Sequence, residues 1–161
     1  MLGLKAIVIG ILATMMMDIL GYGRGQLLAV KGLNYGWLGR WVIGWKNLQF
    51  QHSNISQSAA QPGETALGWI LHYVTGVLWA GLLLIIFPTW LADLSMLPAL
   101  LVGLVTLAFP FLIMQPAFGF GFFAGKTPKP WVAMKNSLIS HLFFAVGLYA
   151  AGWVSRGFIW L

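Results

Sequence analysis

The chain has 161 residues, of which 60% are apolar or aromatic and 7% are charged, and it has no cysteine. Soluble domains carry about a quarter charged residues, so water is not this chain's main solvent; without thiols, disulfides, iron–sulfur clusters and thiolate metal sites are excluded. The net charge of +6 falls mostly in the polar connections, where it suits anionic headgroups better than nucleic acid.

The first apolar stretch, about residues 4–23, carries Lys5 at its start and is long enough to cross roughly 30 Å of hydrocarbon. It exceeds a secretory h-region, carries Asp18 and leads into Gly21-Tyr22-Gly23-Arg24 rather than a small-x-small cleavage site, so an uncleaved first span is expected. Asp18 has Thr14 one turn before it, and an acidic residue near a helix centre costs roughly 2.5–3.5 kcal/mol, which demands a partner or a purpose. Thr14 and Arg24 are the local candidates for a packing role.

A long connection, about 24–65, follows. Trp37, Trp41 and Trp45 recur every four residues with Leu48 completing the stripe, which predicts a short helix in the headgroup region acting as an aromatic anchor. Gly36, Gly39 and Gly44 weaken that helix. From Gln51 to Gln61 the chain is polar and small, the pattern of a solvent-exposed loop. The glycines of Gly21-x-Gly23-x-Gly25 and Gly119-x-Gly121 lack the setting of a phosphate loop and read as hinges or turns.

Three further spans are expected at about 66–87, 97–118 and 132–155, punctuated by Pro88, Pro98 and Pro130. The fold class is therefore an all-α membrane protein of four transmembrane helices, one domain over 1–161. Arg24, Lys31, Arg40, Lys46, Lys126, Lys129 and Lys135 share one side, against Lys5 and Arg156 on the other. This bias puts loops 24–65 and 119–131 in the cytoplasm and both termini in the periplasm.

Depth along the spans gathers Asp18, Glu64, His72, Gln115 and His141 in the cytoplasmic leaflet, where Asn136 also falls, with Thr14, Arg40 and Ser137 in support. Stripes at four-residue spacing, Gly10-Thr14-Asp18, Glu64-Gly68-His72-Gly76 and Ser137-His141-Ala145, are small or polar and predict close helix contacts. Pro110 and Pro116 deprive the carbonyls of Thr106 and Leu112 of their usual donors, so span three can line a cavity with Gln115. His52, His72 and His141 have no metal-site spacing, no serine stands in a nucleophile elbow, and neither a catalytic group, a metal nor a cofactor is expected.

These residues resemble those of a family of small bacterial membrane proteins, domain of unknown function 2938. The resemblance rests on Thr14 with Asp18, Asn34-Tyr35 through Gly39-Arg40-Trp41, Pro62-Gly63-Glu64, Leu67-Gly68-Trp69, His72-Tyr73 and Gly76. It continues through Pro110-Phe111, Met114-Gln115-Pro116, Gly119, Gly121, Thr127-Pro128, Pro130, Ser137-Leu138, His141 and Gly147-Leu148-Tyr149. Gly125-Lys126 departs from the small residue and serine expected before Thr127. The resemblance implies a four-helix unit in a bacterial inner membrane and supplies no activity.

The leading expectation is a small transporter or permease, homodimeric in the lipid bilayer, whose polar cluster takes a small solute or a proton. A non-transporting assembly protein, its polar residues serving helix packing, is the alternative. A lipid-modifying enzyme ranks third, because only Glu64 and His72, two turns apart, suggest an acid–base pair.

Overall fold

The computed structural model describes residues 2–30 and 32–158; Lys31, one of the loop cations counted above, lies outside them. The helices in chain order are α1 (Leu2–Leu28), α2 (Tyr35–Gly44), α3 (Glu64–Ile86), α4 (Trp90–Asp93), α5 (Met96–Val105), α6 (Gln115–Ala117) and α7 (Pro130–Phe158). No strand occurs among the described residues. Four segments are long and apolar enough to cross a membrane: Leu2–Leu28, Glu64–Ile86, Met96–Ala117 and Pro130–Gly157. Their large outward side chains, among them Ile19, Leu78, Ile85 and Leu97, are exposed, as suits a hydrocarbon solvent.

α1 continues past its expected end near residue 23. Gly21, Gly23 and Gly25 are helical rather than hinged, and the left-handed Ala29 (φ 51°) follows the helix end. Each glycine costs about 1 kcal/mol relative to alanine in a helix, too little to outweigh the need of an apolar segment to satisfy its backbone internally. The other glycine pair behaves as expected: Gly119 (φ 84°) and Gly121 (φ 75°) form turns.

The third span is interrupted. After α5 the chain is π-helical over Pro110–Met114, and the Gln115 amide donates to the Pro110 carbonyl five residues back. A proline has no N–H and its ring crowds the preceding turn, so a span carrying Pro110 and Pro116 cannot keep regular α bonding.

The described chain forms two compact units. The first comprises Met1–Gly32, Tyr73–Thr106 and Ile139–Leu161. Its core gathers Ile9, Leu83, Trp90, Val102, Phe144 and Leu148, but its closest contacts are made by small residues. A β-carbon on Gly10 would lie 2.8 Å from the Val77 amide nitrogen, and one on Gly76 would collide with the Thr14 hydroxyl. One on Gly103 would meet Ala145 Cβ at 2.6 Å, and one on Gly147 would meet the Ala13 carbonyl oxygen at 2.5 Å. Helices surrounded by lipid gain little from hiding apolar surface, so such close backbone approach supplies the packing. α4 was not anticipated; it buries Trp90, whose Nε1–H donates to the Ser95 carbonyl at 2.9 Å.

The second unit comprises Leu33–His72 and Leu107–Leu138. Its core is Leu38, Trp41, Ile55, Met114, Ala117 and Phe118. The expected short helix is present as α2, capped by the Asn34 side chain accepting from the Gly36 amide, and extended by a 3₁₀ turn over Trp45–Asn47. The tryptophan stripe, however, turns inward. Trp41 is buried, packs edge-on against Phe118 and donates its Nε1–H to the Phe50 carbonyl at 2.8 Å, while Trp37 meets Phe120 edge-on. Trp45, at 41% exposure, and Leu48, at 80%, are left as the outward members.

Candidate functional site

In the second unit α2 docks on the start of α3 backbone to backbone. A β-carbon on Gly39 would strike the Glu64 carbonyl, and one on Gly68 would strike the Tyr35 carbonyl. That contact brings Arg40, 7% exposed, onto Glu64. Arg40 Nε donates to Glu64 Oε2 at 2.7 Å and Nη2 to Oε1 at 2.6 Å, a bidentate ion pair. Nη1 donates to the carbonyls of Ile55 (2.8 Å) and Ser58 (2.6 Å), and Glu64 Oε2 also accepts from the Gln61 amide at 2.7 Å. The Glu64 hydrogen bond, against a smaller opposing effect of burial, raises the Arg40 pKa above its ordinary value. Held from both ends, this pair ties residues 24 positions apart and closes the intervening loop on α3. It is an anchor, and the bonds of the Glu64 carboxylate go to Arg40 and the Gln61 amide.

The polar run 51–61 is only partly a solvent loop. His52 and Ile55 are buried, at 5% and 0% exposure. The His52 amide donates to the Ala117 carbonyl at 2.8 Å and the Ile55 amide to the Phe118 carbonyl at 3.0 Å. Gly119 makes room for this strand-like approach, since a β-carbon there would collide with the Ser53 carbonyl, and its positive φ is one that side chains rarely adopt. His52 Nδ1 lies 3.0 Å from Ser58 Oγ and 3.3 Å from Gln49 Nε2, and the Ser58 hydroxyl also reaches the Asn54 carbonyl at 3.2 Å. Burial first, and then the charge of Arg40, lower the His52 pKa and keep the ring neutral. Among the described residues, His52 Nε2 and Gln115 Oε1 are both buried without a hydrogen-bond partner. His52 is missed by reasoning from depth because it lies outside the spans between polar neighbours, and Tyr35 and Tyr73, whose hydroxyls bond His72 and Asp18, are likewise absent from the candidate site residues.

His72, on α3, stacks on Tyr35 of α2. Their ring centroids are 4.2 Å apart, and Tyr35 Oη lies 3.1 Å from His72 Nε2. Trp69 closes the group, 4.4 Å from Tyr35 between centroids. Ser137 lies half-buried on α7.

In the first unit Asp18 accepts from the Tyr73 hydroxyl on α3 at 3.1 Å. The Thr14 hydroxyl donates to the Gly10 carbonyl at 2.8 Å, so Thr14 serves the helix contact rather than Asp18. His141, on α7, is bonded through Nδ1 to Thr106, the residue that follows α5. The Thr106 hydroxyl donates to the Gly103 carbonyl, so it accepts Nδ1–H and Nε2 becomes the basic ring nitrogen.

Asp18 and His141 belong to the first unit and Glu64, His72 and Gln115 to the second; within those units Asp18 bonds Tyr73, His141 bonds Thr106, Glu64 bonds Arg40 and His72 bonds Tyr35. Among the described residues no three His, Asp or Glu side chains gather as metal ligands would.

Four apolar spans with ionisable residues bonded inside them define a multi-pass α-helical membrane protein. Residues 7–155 match the model of the family described as "Protein of unknown function (DUF2938)", and the chain belongs to that family. No curated protein and no solved structure matches it.

Proposed function

We propose that this protein is a small carrier of the bacterial inner membrane, moving a small solute or protons by means of ionisable groups within its spans. The observation that supports this reading is their choice of partner. Asp18, His72 and His141 are each hydrogen-bonded to a neutral hydroxyl, from Tyr73, Tyr35 and Thr106 respectively. A hydroxyl both donates and accepts, so such a group can gain or lose a proton and keep that hydrogen bond. The π-helical break in the third span accords with the reading, since such irregularities are frequent at functional sites. Loops 24–65 and 119–131 face the cytoplasm in this proposal, as their cations favour. Its working form is a homodimer, because four helices enclose little space for a path.

The test is reconstitution in liposomes with a pH-sensitive dye inside, under an imposed potential. Proton or solute-coupled flux should appear and should fall at least tenfold in Asp18→Asn and in His141→Phe. Liposomes that stay tight with folded wild-type protein, across a panel of small solutes, would end the proposal. A second reading is an assembly protein, supported by the Arg40–Glu64 anchor and the glycine contacts. Co-purification of a stoichiometric membrane partner, without any flux, favours it.

A further inference from the structure

A furrow of about 460 Å³ runs between the irregular part of the third span and the start of α7. Leu107, Phe111, Val132 and Leu138 wall it with hydrocarbon, and Phe111 is backed by Phe123 at 5.2 Å between ring centroids. Its size falls within the roughly 300–1,000 Å³ of ligand-sized clefts, but it lacks the convergent polar groups that orient a solute. A π-helical segment displaces the side chains of its own turn, which explains a furrow beside Pro110–Met114 rather than a filled seam.

One cation belongs to this lining. Lys135 is exposed, and it sits in the second turn of a helix apolar enough to span a membrane. Hydrocarbon cannot solvate an ammonium, so the methylene stem must lie along the apolar wall while the charge reaches for headgroups. Trp131, 80% exposed on the same wall, is the residue type that settles at headgroup depth. Lys126 and Lys129 are exposed in the connection that leads into α7.

We propose that this furrow is a binding site for an anionic phospholipid, with an acyl chain along its hydrocarbon wall and the phosphate on the Lys135 ammonium. Charge complementarity selects the headgroup. A net-negative lipid gains from Lys135 and the cations preceding α7, whereas in a zwitterionic lipid the headgroup's own cation offsets that attraction. The site is independent of the carrier reading, since it uses none of the hydroxyl-paired groups.

Native mass spectrometry of the detergent-solubilised full chain, titrated with phosphatidylglycerol or phosphatidylcholine of identical acyl chains, tests it. The wild type should retain phosphatidylglycerol at least about fivefold more tightly. Lys135→Gln should bring the two lipids within twofold, and Lys135→Arg should keep the preference, which separates loss of charge from loss of fold. Leu138→Trp, filling the furrow, should weaken phosphatidylglycerol while Lys135 is intact. Three outcomes overturn the proposal: an undiminished preference in Lys135→Gln, an equal loss in Lys46→Gln on the exposed part of the loop, or displacement of the lipid by inorganic phosphate alone.

Discussion

Arg40 grips both carboxylate oxygens of Glu64, at 2.7 and 2.6 Å, and uses its remaining nitrogen on the carbonyls of Ile55 and Ser58. Removing one partner of a buried pair typically costs 3–5 kcal/mol, because the other charge stays behind unpaired. Arg40→Ala should therefore destabilise the protein by about that amount. The reversed pair, Arg40→Glu with Glu64→Arg, should not rescue it, since a carboxylate at position 40 would face the Ile55 and Ser58 carbonyls. Thermal unfolding in detergent checks both; an unchanged melting temperature in Arg40→Ala would remove the anchor role.

The docking of α2 depends on backbone contact at two glycines. Gly68→Ala puts a methyl group into the Tyr35 carbonyl, and overpacking of this kind costs about 1–3 kcal/mol. The spans should stay helical while the loop loosens, so limited trypsin digestion at Lys46 should speed up severalfold. Circular dichroism that falls in step with cleavage would show instead that the whole fold depends on this contact.

The four spans were legible because crossing hydrocarbon takes about twenty apolar residues, a requirement written directly into composition. The stripe Gly10-Thr14 facing Gly76 was legible for a similar reason, since small residues at four-residue spacing are what close helices need. The tryptophans misled as to direction. Periodicity locates the face of a helix but not what covers it, and Trp37 and Trp41 face Phe120 and Phe118 rather than headgroups. Arg40 and Glu64 lie 24 residues apart, and no local rule joins them; the approach of Gly39 to Glu64 decides the pairing. His52 looked solvated among Gln51, Ser53 and Asn54, yet its backbone bonds Ala117 and carries the ring inside.

The buried ring of His52 should make stability depend on pH. Its folded pKa is lowered, by burial and then by Arg40, whereas in the unfolded chain it titrates near about 6.5. The folded protein thus resists a proton that the unfolded chain accepts, and stability is full above about pH 6.5 and declines as the pH falls through the window below it. Melting temperatures measured from pH 7.5 to 5 should drop along this window, with a shallower slope in His52→Gln. Parallel slopes in the two proteins would assign the pH dependence to other groups.

Thr14 and Gly76 offer a double-mutant test of the lipid-embedded contact. Gly76→Ala should be strongly unfavourable because its methyl group meets the Thr14 hydroxyl, whose proton is committed to the Gly10 carbonyl at 2.8 Å. Thr14→Ala alone should cost about 0.5–1.5 kcal/mol for the lost hydrogen bond. With the hydroxyl gone, the added methyl would next meet the residue-14 β-carbon at 3.3 Å and the Gly10 carbonyl at 3.4 Å, a tight fit but far less severe than the collision with the hydroxyl. The double variant should therefore be more stable than Gly76→Ala, with a coupling of about 0.5–3 kcal/mol. Additive losses measured by unfolding in mixed micelles would mean that the helices separate to admit the methyl group, and that the contact is looser than its geometry implies.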